Sequence, residues 1–225
     1  MGRRNTSKSS KPFRETRKKL KPKTKNQQEY IRAIVESDVT FCTGPAGSGK
    51  TAVAVGLACE YLLEKKVEKI IITRPVVESG GRGLGFLPGT MNEKLQPWLV
   101  PIMEEMNLYL TRDTVNSFRS SNRIELCPLE YMRGRNFHNS FMILDEAQNA
   151  TYDQIKMFLT RIGRESKAIV NGDLDQTDLN KYEGAGLYAC VEKLDQLDGV
   201  SICKLSFEDI IRNSIISKIL TRLQE

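Results

Sequence analysis

The sequence predicts an α/β domain, a parallel sheet flanked by helices on both faces. Three observations lead there. Short apolar runs such as Lys69-Ile70-Ile71-Ile72-Thr73 alternate with longer stretches of helical periodicity, the pattern of strands buried on both sides. Several runs end in a glycine or a carboxylate, as Phe141-Met142-Ile143-Leu144-Asp145-Glu146 does. One of them, Val39-Thr40-Phe41-Cys42, leads into Gly44-Pro45-Ala46-Gly47-Ser48-Gly49-Lys50-Thr51, which meets the G-x-x-x-x-G-K-[ST] pattern between a strand and a helix. Together they point to a P-loop NTPase with a RecA-like sheet.

Each element has its own signal. Asn26 and Glu29 have the spacing of a capping box, which predicts a helix ending near Ser37. The strand at 39–42 follows, then a helix over 51–63. Lys69–Thr73 is a second, fully buried strand, Ile124–Leu126 a weaker one, and Phe141–Leu144 the strand that ends in the acids. Thr151 and Gln154 predict another capped helix, with Ile155, Phe158, Leu159 and Ile162 on one face and Gly163 at its end. Ala168-Ile169-Val170 is a strand, Leu187, Cys190, Val191 and Leu194 mark a helix face, and Val200–Leu205 is the last strand. An amphipathic helix with Arg212 at its start closes the chain. Residues 26–225 are expected to form a single P-loop ATPase domain, and residues 1–25 a basic, disordered tail.

The residue types at these places fit phosphate chemistry. Gly44, Gly47 and Gly49 let successive backbone N–H groups turn inward toward phosphate oxygens. The helix that starts at Thr51 points its positive dipole end at the same anion, and Lys50 reaches the β- and γ-phosphates. Thr51 and Asp145 are the expected magnesium ligands, the acid acting through the metal's water shell. Glu146, directly after it, is placed to deprotonate the attacking water, which favours ATP hydrolysis over a simple kinase. Asn171-Gly172-Asp173-Leu174-Asp175-Gln176 repeats the strand-and-break design and puts Gln176 where it could sense the γ-phosphate; a plain turn begun by an Asp is the alternative.

With these motifs the chain resembles the PhoH family of P-loop ATPases, related to superfamily 1 helicase cores. The likeness runs over about residues 26–220, through Asn26-Gln27, the phosphate loop, Thr73-Arg74-Pro75, Gly85-Phe86-Leu87-Pro88-Gly89, Tyr131-Met132-Arg133-Gly134-Arg135, Leu144-Asp145-Glu146-Ala147-Gln148-Asn149, Gly172-Asp173 with Gln176, and Glu208-Asp209-Ile210-Ile211-Arg212. The resemblance implies ATP and Mg2+ as ligands, Gln27 at the adenine edge and Arg74 near the nucleic acid or the γ-phosphate. Family members with an added nuclease domain act as RNA helicases and ribonucleases; no such domain fits here, so no ribonuclease activity is expected. Two departures stand out: Asn213 replaces a usual His, and Glu78-Ser79-Gly80-Gly81-Arg82-Gly83 is unusually glycine-rich.

Composition adds the partners. Residues 1–25 carry eleven Lys or Arg against Glu15, a net +10, while the rest of the chain is net −4. Such a segment is expected to contact RNA or single-stranded DNA through phosphate, or else simply to solubilise. One RecA-like lobe lacks the second lobe of a monomeric helicase, so the missing transition-state charge must come from elsewhere. Arg212 is the first candidate for an arginine finger, with local pairing to Glu208 or Asp209 as the alternative, and Arg133 and Arg135 the other candidates. A head-to-tail homo-oligomer, best guessed as a hexameric ring, follows. A nucleotide-controlled switch without unwinding is the competing function, discriminated by nucleic-acid stimulation of hydrolysis. Five cysteines without a C-x-x-C pair and a single histidine, His138, predict buried thiols and no metal cluster. No apolar run is long enough to span a membrane, and a cytoplasmic location in a bacterial or phage setting is expected.

Overall fold

The computed structural model describes residues 18–75, 91–176, 186–210 and 222, with 91–99 as backbone. Along the chain the helices and strands are α1 (Lys25–Glu36), β1 (Val39–Thr43), α2 (Lys50–Leu63), β2 (Lys69–Arg74), α3 (Met91–Tyr109), α4 (Arg112–Ser120), β3 (Ile124–Pro128), β4 (Ser140–Leu144), α5 (Tyr152–Leu159), β5 (Lys167–Gly172), α6 (Gly186–Leu194) and β6 (Val200–Lys204). The strands form one sheet in the order β3-β2-β4-β5-β1-β6, and every pairing is parallel. β5 therefore separates the strand of the glycine loop from the strand of the acids.

Alternation along the strands gives the sheet two buried faces. Ile70, Ile72, Phe141, Ile143 and Ile169 belong to one core with α1, α2, α3 and α4, whereas Ile71, Met142, Leu144, Ala168 and Val170 belong to the other with α5 and α6. α2 is apolar nearly all round because it lies between the sheet and α3. Phe141 is fully buried and packs T-shaped against Tyr61 with ring centroids 5.4 Å apart, and burial of such a side chain contributes about 1.5–3 kcal/mol.

Three expectations change, and one region carries none. The N-cap of α1 is Thr24, whose side chain accepts from the Gln27 N–H, because the Asn26 amide is engaged elsewhere, donating to Asp209 at 2.9 Å. The packed body begins before residue 26: Leu20 lies against the first core and its N–H donates to Glu60 at 2.9 Å. α5 has the predicted capping box, but it ends at Leu159. Gly163 serves a different purpose, since a Cβ there would sit 2.4 Å from His138 Nδ1 and 2.5 Å from the Phe137 carbonyl. Finally, α3 and α4 carry no sequence expectation. Pro97 and Pro101 lie inside α3, and prolines argue against a helix when the chain is read alone.

Candidate nucleotide site

The carboxyl ends of β1 and β4 open onto a cleft of about 440 Å³, bounded by the glycine loop, residues 18–23 and the end of α3. The loop depends on its glycines. Gly44 has φ +149° and a Cβ there would meet the Leu205 carbonyl oxygen at 2.4 Å; Gly49 has φ +95° and a Cβ would meet Gln27 Nε2 at 2.6 Å. Ser48 donates through its hydroxyl to the Pro45 carbonyl at 2.8 Å. The Lys50 ammonium lies back over the loop, donating to the carbonyls of Gly44 and, at 3.0 Å, Pro45. α2 begins at Lys50, so its unpaired N–H groups and positive end face the cleft.

The acids lie opposite. Asp145 is buried; its Oδ1 accepts from the Thr51 hydroxyl at 2.9 Å, and its Oδ2 accepts from both Nε, at 3.0 Å, and Nη2 of Arg74. Glu146 is exposed, takes a left-handed conformation with φ 56°, and accepts from Gln148 Nε2 at 2.7 Å. The Oε1 of the same Gln148 accepts from the Asp173 N–H at 3.0 Å, which ties the end of β4 to the end of β5. On the far side, Asp209 accepts from Thr24, from Asn26 and from the Ser206 N–H at 2.7 Å. Burial alone would raise the Asp209 pKa; these donors, led by the Ser206 amide, bring it below its ordinary value.

Most sequence-predicted residues meet here. Gln27, Ala46, Gly47, Gly49, Lys50, Thr51, Asp145 and Glu146 line the cleft, Gly44, Pro45 and Ser48 shape the loop, and Arg74 joins through Asp145. Gln27 is bonded at both ends of its amide, accepting from the Lys23 N–H at 2.9 Å and donating to the Ser48 carbonyl at 2.8 Å. Gln176 is exposed in the turn after β5 and is not among the residues lining the cleft. Arg133 is exposed, while Arg135 forms a two-pronged pair with Glu125 and lies over the Phe137 ring at 4.6 Å. Arg212 and the glycine-rich segment at 79–90 fall outside the described residues. The sequence gives no role to Gln148, and it gives the lysines of 18–23 only a nucleic-acid contact within the basic tail, not a place at this cleft.

Thr51 and Asp145 fit magnesium chemically, because both offer the hard oxygen donors that this ion takes. Among the described residues no cluster of three or more His, Cys, Asp or Glu could hold a metal by itself. All five cysteines are free, and burial pushes their thiols above the ordinary range.

The fold and the loop define a nucleotide-binding P-loop protein. The profile of the family described as PhoH-like protein matches residues 19–224, and the chain belongs to that family. The PhoH-like protein of Synechocystis sp. is 43% identical over 201 residues, covering 89% of this chain and 61% of the relative. That of Bacillus subtilis is 43% identical over 203 residues, covering 90% and 63%. The chain thus spans roughly three-fifths of the length of these curated relatives. In fold it is similar to the large terminase of a thermophilic bacteriophage, with a TM-score of 0.55, 12% identity, and coverage of 88% of this chain and 50% of that one. Among the described residues no helix is long and apolar enough to cross a membrane.

Proposed function

We propose that the protein is a magnesium-dependent ATPase coupled to RNA or single-stranded DNA, with helicase-like strand movement as its output. The observation that carries this reading is the network around the loop: Thr51 bonded to Asp145 at 2.9 Å, and Glu146 bonded to Gln148 at 2.7 Å beside it. In this reading Lys50 leaves the Gly44 and Pro45 carbonyls for the β- and γ-phosphates. Thr51 and Asp145 would hold magnesium, which would supply positive charge against the phosphates. Arg74 keeps a counter-charge on Asp145, and Gln148 orients Glu146 to take the proton of the attacking water. Gln176 senses the γ-phosphate, and Arg212 of a neighbouring copy supplies the arginine finger in a homo-oligomer, a hexameric ring being the favoured form. Gln27 turns part of its amide to the adenine edge. The five free thiols suit a cytoplasmic setting.

Steady-state ATP hydrolysis in wild type and Glu146→Gln, with and without single-stranded RNA at low and high salt, tests this reading. Glu146→Gln is expected to slow turnover by ~10²-fold or more, and RNA to accelerate the wild type at low salt only. A Glu146-dependent rate that ignores RNA would end the motor reading and leave a nucleotide switch. Light scattering that returns only a monomer with ATP present would end the ring.

A further inference from the structure

The segment ahead of α1 is an integral wall of the nucleotide cleft. Leu20 anchors it: the N–H donates to Glu60 Oε1 at 2.9 Å, and the side chain covers Gly56, where a Cβ would come within 2.9 Å of Leu20 Cδ1. Lys18, Lys21 and Lys23 then line the same cleft as Lys50 and Thr51, and all three are exposed. The charges of Lys18 and Lys23 act on Glu105 of α3, which also lines the cleft. Backbone and loop are wired together, because the Lys23 N–H donates to Gln27 Oε1 at 2.9 Å and Gln27 Nε2 donates to the Ser48 carbonyl at 2.8 Å. In the sequence these lysines belong to the stretch that carries net +10 over residues 1–25.

We propose that Lys18, Lys21 and Lys23 are shared phosphate contacts, serving both the nucleotide in the cleft and the phosphodiester backbone of a single-stranded nucleic acid, so that each ligand weakens the other's binding. Cations that line a triphosphate site raise its affinity for anions, and a polyanion that neutralises them removes that contribution. The coupling is reciprocal and fades with salt. It also gives nucleic acid a route to faster turnover, since weaker ADP binding speeds product release wherever that step limits the cycle. The proposal rests on the reading of nucleic acid as partner, and not on hydrolysis.

The test is titration of a fluorescent ADP analogue into the full chain at low salt, with and without single-stranded RNA whose binding is followed by anisotropy in the same samples. Bound RNA is expected to weaken ADP binding roughly fivefold or more, the low end of ordinary coupling. Single-stranded DNA should give the same shift, because phosphate is what the lysines read. The combined variant Lys18→Gln, Lys21→Gln, Lys23→Gln, checked for folding by thermal melt, should lose the shift. Bound RNA with ADP affinity unchanged or tightened overturns the proposal alone, as does a full shift in the variant or a shift confined to RNA. RNA that fails to bind overturns the partner reading and the proposal with it.

Discussion

The two edges of the sheet treat polar side chains differently. At the amino edge they bond the main chain: Lys167 Nζ donates to the carbonyls of Val35 at 3.1 Å and Ser37 at 2.7 Å, and Ser166 Oγ donates to the Phe137 carbonyl at 2.9 Å while accepting from the Ser140 N–H at 3.0 Å. At the carboxyl edge the acids bond other side chains, Asp145 with Thr51 and Arg74, and Glu146 with Gln148. Away from the cleft such a bond to backbone holds the fold in one arrangement; Lys50, on the Gly44 and Pro45 carbonyls, is the exception, because it lies where a phosphate can replace them. A bond between side chains can be exchanged for a ligand at the cost of a rotamer change. One sheet thus keeps its structural polar groups and its chemical ones at opposite ends.

Substitutions can break that contrast. Lys50→Ala should have the largest effect, lowering nucleotide affinity and turnover by ~10²-fold or more while moving the melting temperature little. Fluorescent-nucleotide titration beside a thermal melt reads both, and a comparable loss of stability would make the edges alike. Gln148→Ala should lower turnover about tenfold through a misaimed Glu146, with nucleotide affinity unchanged. A fall in affinity of the same size would make Gln148 a binding residue instead.

Lys167→Met should cost about 1 kcal/mol of stability in chemical denaturation and leave nucleotide binding alone. Burial holds the Lys167 pKa below its ordinary value. The unfolded chain therefore binds more protons between the lowered and the ordinary lysine pKa, and stability should rise with pH across that window in wild type. The variant should lack this rise.

The contrast also marks where the sequence was legible. Signals that act within a few residues came through, among them the strand, glycine loop and helix at 39–63, the acids after β4, and the capping box of Thr151 with Gln154. What stayed hidden depends on partners distant in the chain. Asn26 looks like a cap until Asp209, 183 residues away, takes its amide. Gln148 becomes meaningful when Asp173 meets it across two neighbouring strands, and Gly163 when His138 lies against it. Lys18, Lys21 and Lys23 read as tail by charge alone, because the segment is held by Leu20 and by the Lys23 N–H on Gln27, and one leucine and one main-chain bond in a basic run carry no periodicity.

The left-handed backbone of Glu146 has an evolutionary side. For a residue with a Cβ this conformation costs on the order of 1 kcal/mol or more, and glycine would occupy it freely. A search for thermostable variants would therefore be drawn to this position and would select against the one carboxylate proposed to activate water. Selection for stability alone and selection for turnover should part company at residue 146.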